Sequence, residues 1–194
     1  MRCAEIKRKT AETDIALSFC ADGKGEAQIA TGIGFFDHML TLFARHGLFT
    51  LRVDCRGDLA VDGHHTVEDV GIALGQAVKC ALGDKAGIRR YGSAFVPMDE
   101  ALAFVSLDLS GRPYLIYDVP PLAPMIGSFD SQLAEEFLRA LAVHAGLTLH
   151  VKIAYGKNAH HMVEAVFKAL GRALSEAVQR DERIEGVLST KGVL

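Results

Sequence analysis

Eight histidines stand in a chain of 194 residues, against four tyrosines and no tryptophan, and four of the eight arrive as two His-His pairs. His64 and His65 are followed by Glu68, and His160 and His161 by Glu164. On a helix, residues three or four apart share a face, so either histidine of a pair can reach its glutamate. Neighbouring histidines point about 100° apart around the helix axis. They are awkward ligands for one ion and natural ligands for two. Imidazole with carboxylate is a donor set for Mn, Fe, Zn or Co. The motif is not the zincin H-E-x-x-H, and it reverses the Glu-x-x-His order of di-iron helix bundles.

The two groups belong to an internal repeat. With an offset of 96, Asp62–Val78 and Asn158–Leu174 match at nine of seventeen positions, among them both histidines and the glutamate. Helices that resemble each other by chance share apolar spacing, not a polar trio, so the chain reads as a duplication.

The periodicity around these groups predicts the elements that must position them. Helical patterns run over Thr66–Leu82 and Met162–Val178, each preceded by an alternating strand, Phe49–Cys55 and Leu147–Tyr155. Before each strand lies a helix closed by a glycine, Phe36–His46 with Gly47 and Gln132–Ala145 with Gly146. Each half opens with extended segments about a tight turn. Both halves therefore read β-β-β-α-β-α. The expected fold is α+β, a two-layer sandwich with helices on one face of mixed sheets, built from repeated halves of about 1–85 and 86–180 with a tail at 181–194. The turn Gly83–Gly87 joins the halves within a single domain, and the Pro-rich stretch Val119–Ser128 is read as a loop.

Two further histidines fall on the leading helices, His38 in GIGFFDHML and His144 in LAVHAGL. Counted from the closing glycines they share a helix face at levels roughly 10 Å apart. Six histidines and two glutamates then divide into two sites of three His and one Glu, with positions left for a substrate. His46 and His150 have no partner in this count.

Composition excludes several alternatives. A formal net charge of −3 offers no basic surface for nucleic acid or an anionic membrane. No apolar run approaches a membrane span, and the N-terminal segment lacks a signal peptide's apolar stretch. Cys3, Cys20, Cys55 and Cys80 form no C-x-x-C pair and are expected to be free thiols in a reducing compartment, the cytoplasm.

Over essentially its whole length the sequence resembles the imidazoleglycerol-phosphate dehydratases of histidine biosynthesis. The resemblance rests on GIGFFDHML, DGHHTVED, GSFDSQLAEEFLRALA, NAHHMVEAVFKALGRAL and STKGVL. It implies loss of water from D-erythro-imidazoleglycerol phosphate to give imidazole-acetol phosphate, by a monofunctional chain. It implies two Mn²⁺ per active site, held by His38, His64, His65, Glu68, His144, His160, His161 and Glu164. It also implies a homo-oligomer of octahedral form, on the order of 24 chains, with sites between subunits. The substrate phosphate would fall to Arg90, Arg112, Ser189 and Lys191, with Arg89 competing with Arg90; arginine forks and a lysine suit such a group. The departing hydroxyl is not β to a carbonyl. A metal-bound imidazolate of the substrate could expel it, after which a carboxylate removes the neighbouring proton. Glu12, in RKTAETDI, is the expected substrate-binding base, with Glu68 and Glu164 as further catalytic carboxylates. Glu100 aligns with Glu12 at an offset of 88, without a defined role.

Overall fold

A computed structural model describes residues 1–194. Alternation of apolar and polar residues builds the first half's strands β1 (Cys3–Lys9), β2 (Thr13–Cys20), β3 (Ala27–Ala30) and β4 (Thr50–Gly57). They form a sheet in the order β1-β2-β4-β3, antiparallel except for the parallel β3–β4 pair. Ile15, Leu17 and Phe19 face inward on β2 while Asp14, Ala16 and Ser18 face out. Helices α1 (Gly34–Gly47) and α2 (His64–Leu82) cover the inner face.

The second half repeats this. Strands β5 (Tyr91–Met98), β6 (Ala101–Asp108), β7 (Tyr114–Asp118) and β10 (Thr148–Tyr155) pair in the order β5-β6-β10-β7, under α3 (Leu133–Ala145) and α4 (Ala159–Val178). The expected β-β-β-α-β-α halves and α+β class are therefore present. Inside the Pro-rich stretch lies a small addition, a hairpin of β8 (Met125–Ile126) and β9 (Phe129–Asp130). The halves meet helix layer to helix layer, α1 against α4 and α2 against α3, and one buried core runs through both.

Three local expectations change. Helices α2 and α4 begin at His64 and Ala159, earlier than the apolar periodicity, so both His-His pairs sit in a first turn. The Asn158 side chain accepts from the backbone N–H groups of His160 and His161, and Asp62 accepts from His64 N at 2.7 Å. Helix α1 runs through Gly47, and Leu48 takes the left-handed cap position (φ 57°) that Gly146 (φ 66°) occupies after α3. Gly47 is small because a Cβ there would strike the Phe49 ring and the Gly171 carbonyl.

The cysteines are the third. Cys3 and Cys20 are cross-strand neighbours on β1 and β2 and form a disulfide, while Cys55 (buried) and Cys80 (exposed) are free. Their separation by 17 residues hid this, because only strand register brings them opposite each other. The reading of all four as free thiols is thus corrected.

Close helix approach depends on two glycines related by the repeat. A Cβ on Gly171 would lie 2.5 Å from Phe43 O and 3.1 Å from Gly47 N, and one on Gly75 would lie 2.9 Å from both Leu141 O and Ala145 N. Replacing Gly171 by Ala pushes backbone against backbone. The expected cost is about 1–3 kcal/mol, exceeding the ~1 kcal/mol gained in helix propensity. Urea unfolding should show a lower midpoint with unchanged slope; an equal or higher midpoint would contradict this account of the α1–α4 contact.

Candidate functional site

Helix packing brings residues 126 positions apart together. His38, in the first turns of α1, meets His160 and Glu164 at the start of α4. Nε2 of His38 lies 3.3 Å and Nε2 of His160 3.1 Å from the same oxygen, Glu164 Oε2. One ligand atom from each of the three residues lies within 4.8 Å of the others. Glu164 is buried, and its other oxygen takes the Lys168 ammonium at 2.6 Å. Burial alone would raise its carboxyl pKa, but Lys168, His160 and His38 together hold it below the ordinary value. Two imidazoles and an ionised carboxylate aimed at one point suit a divalent transition metal. The donors come from both halves of the chain.

The repeat places a second, looser group at the start of α2. His64 Nε2 lies 3.8 Å from Glu68, and both side chains are about half exposed. His144 does not join them. It packs beside Gly75, seven residues or about two turns beyond Glu68, and burial lowers its pKa. Its counterpart is His46, likewise in a last turn and likewise lowered by burial.

The residue equivalent to His38 is Glu136. Phe43 and Gly47 pack on Gly171 as Leu141 and Ala145 pack on Gly75, an offset of 98 that also relates the caps Leu48 and Gly146. Glu136 lines a cleft of ≈ 540 Å³ together with His64, Gly63 and Gln132. Counting back from Gly47 instead of Leu48 displaced the alignment by one residue, and pairing histidine with histidine hid the carboxylate.

The second histidine of each pair points elsewhere, as adjacent helical positions require. The ring centroids of His64 and His65 are 6.3 Å apart with their planes at 85°, and those of His160 and His161 are 6.2 Å apart with their planes at 79°. His65 Nδ1 faces Asp58 at 3.0 Å, and its Nε2 lies 3.7 Å from Glu12. His161 Nδ1 faces Glu100 at 2.7 Å. These carboxylates raise both imidazole pKa values, the Asp58 and Glu100 hydrogen bonds being the main causes. The His161 bond and backbone N–H donors in turn lower Glu100 to about 2.

The expected phosphate ligands gather at the other end of the helices. Arg90 N bonds Ala177 O at the end of α4, and Gly111 N bonds Gly146 O at the end of α3. Arg112 and Lys191 are exposed. Arg90 is not: its guanidinium grips both oxygens of Asp108 (2.7 and 3.0 Å) and the Leu188 carbonyl (2.7 Å), fastening the tail that carries Ser189 and Lys191. Arg89 lies 3.9 Å from Asp181.

Residues 31–174 match the family model described as imidazoleglycerol-phosphate dehydratase. The chain belongs to this family. It is 63% identical over 190 residues to the imidazoleglycerol-phosphate dehydratase of Acetivibrio thermocellus, covering 98% of this chain and 97% of the relative. The enzyme of Caldanaerobacter subterraneus is 61% identical over the full length of both chains. Crystal structures of the Staphylococcus aureus and Pyrococcus furiosus dehydratases superpose with TM-scores of 0.84 at 40% identity, covering 92% and 97% of this chain and 99% and 100% of theirs. Membership of this dehydratase family makes the chain a hydro-lyase, and its length matches those of relatives that bear the dehydratase name alone.

The depressed Glu164 pKa carries a pH signature. An ionised Glu164 adds stability above the ordinary carboxylate pKa, and that contribution is lost as pH falls through its lowered folded value. Lys168→Met leaves burial to dominate and raises that value. In metal-free buffer, the acid-side loss of urea stability should therefore be smaller in Lys168→Met than in the parent, because the part due to Glu164 runs only from its unfolded pKa down to its folded one. Coincident acid limbs would show that Lys168 does not hold the carboxylate ionised.

Proposed function

We propose that this hydro-lyase dehydrates D-erythro-imidazoleglycerol phosphate to imidazole-acetol phosphate, using two Mn²⁺ per active site in positions completed by a neighbouring chain. The observation that carries this reading is the division of the site along the helices. His38, His160 and Glu164 lie at helix N-termini, whereas Arg112 and the tail lie at the C-terminal ends. From Glu164 to Ala177, beside which Arg90 begins, the helix rises about 20 Å. A glycerol phosphate bearing one imidazole is far shorter than that. The metal end of one chain therefore needs the phosphate end of another, which accounts for a closed homo-oligomer, on the order of 24 chains by family resemblance.

His38, His160 and Glu164 would hold one ion, and His64 and Glu68 a second, with Glu136 in the place first given to His144. His65 and His161, turned outward, would complete the ligand sets across the subunit boundary. The metals supply Lewis-acid stabilisation of negative charge as the C–O bond breaks. Glu12, half exposed beside His65, would take the proton from the carbon next to the departing hydroxyl; the resulting enol becomes the ketone. Arg112, Ser189 and Lys191 would bind the phosphate, with Arg90 fixing the tail on which two of them lie. No helix is long and apolar enough to cross a membrane. We place the reaction in the cytoplasm, although the Cys3–Cys20 bridge is a bond that a reducing compartment opens.

Purified protein should convert imidazoleglycerol phosphate to the ketone, lose turnover when stripped of metal, and regain it with Mn²⁺. Failure of Mn²⁺ to restore turnover would defeat the metal assignment, and release of inorganic phosphate without ketone would indicate a phosphate-ester hydrolase instead.

The shared site makes a second forecast. His160→Ala and Arg112→Glu chains should each be inactive, and co-assembled from mixed subunits they should regain part of the activity. No recovery in proven mixed assemblies would place both groups in a single-chain site.

A further inference from the structure

In each half, the outward histidine of the His-His pair has its Nδ1 engaged by a carboxylate from outside its own helix. Asp58, in the loop between β4 and α2, faces His65 Nδ1 with both oxygens, at 3.0 and 3.2 Å. Glu100, in the turn between β5 and β6, faces His161 Nδ1 with Oε2 at 2.7 Å. Glu100 Oε1 accepts from the backbone N–H groups of Lys157 (3.2 Å) and Asn158 (2.8 Å), the residues that lead into α4.

These two carboxylates are not repeat equivalents. The residue aligned with Glu100 is Glu12, which lies on the Nε2 side of His65, 3.7 Å away, and makes no bond to Nδ1. The first half therefore assigns two carboxylates to His65, one on each ring nitrogen. In the second half Glu100 is committed to His161 and to the backbone, and the Nε2 side has only the exposed Asp99, at 3.8 Å. Two different loops supplying the same contact is what a requirement on the imidazole itself would produce.

An imidazole that donates Nδ1–H to a carboxylate keeps its lone pair on Nε2 and is a better electron donor there; its ring is also held against rotation. We infer that Asp58 and Glu100 are positioning residues that fix the tautomer and aim of His65 and His161, so that each presents Nε2 as a metal donor. This rests on the metal-binding reading above. It also separates the two turn glutamates: Glu12 is left free for substrate, and Glu100 is structural to the ligand.

Mn²⁺ binding to the assembled protein, followed by electron paramagnetic resonance without substrate, tests the inference. Asp58→Asn and Glu100→Gln keep size and the backbone acceptors but weaken or remove the anionic acceptor at Nδ1. Each should weaken Mn²⁺ binding about 10- to 100-fold. Asp58→Glu should recover most of the loss. Asp58→Asn added to His65→Ala, and Glu100→Gln added to His161→Ala, should weaken binding no further, because each carboxylate acts through its histidine. Parent-like binding in both amide variants, or additive losses in the double variants, would overturn the inference while leaving the metal reading standing. A parent protein that binds no Mn²⁺ would overturn both.

Discussion

The contact on which the rest depends is the crossed approach of helices from opposite halves, α1 on α4 and α2 on α3. The one converging cluster of histidine and carboxylate is split between the halves: His38 is in the first, and its partners His160 and Glu164 are in the second. Gly75 and Gly171 permit the approach because nothing larger than hydrogen fits against the facing backbone. Since packed interiors do not deform smoothly, this registry sets the height of His38 relative to Glu164 to within a fraction of a helical turn. The helices in each crossed pair run the same way, so the chemistry gathers at N-termini and the cationic residues at the other end.

A duplicated chain gives two copies of every position, and here the copies have diverged in ways that match their surroundings. The α4 group is tight, with Glu164 buried and paired to Lys168, whereas the α2 group is open, with His64 and Glu68 half exposed and His64 lining a cleft. His38 has a glutamate, Glu136, as its counterpart. Both Asp58 and Glu100 meet a histidine Nδ1 from unrelated loops. What the repeat preserves is the His-His-x-x-Glu trio and the helix packing that carries it, while the residue on the facing helix differs between the copies.

Much of this was legible from residue order. The period of 3.6 or 2 in the apolar pattern located the four helices and the strands that precede α2 and α4, and the offset of 96 between the His-His pairs exposed the duplication before any contact was known. Errors arose where a tertiary constraint outweighed a local signal. Gly47 looked like a helix stop but serves close packing, and Leu48 took the strained left-handed position. That residue displaced the alignment of the leading helices by one, and pairing histidine with histidine set His144 against His38, whereas the packing relates His38 to Glu136. Arg90, expected at the phosphate, also grips Asp108 and the Leu188 carbonyl, contacts that residue order did not reveal. The Cys3–Cys20 pair was invisible without strand register.

By itself, then, the amino-acid order determined the α+β class, the duplication, the His-His-x-x-Glu donors and their placement on two helices, because helical and strand periodicity are local properties of a chain. Only the tertiary structure decided which donors share a point, which carboxylates stand behind them, and that the His-His pairs and Arg112 lie at opposite ends of the helices. Those relations depend on distances between segments more than a hundred residues apart, and side-chain packing across the α1–α4 and α2–α3 contacts sets them.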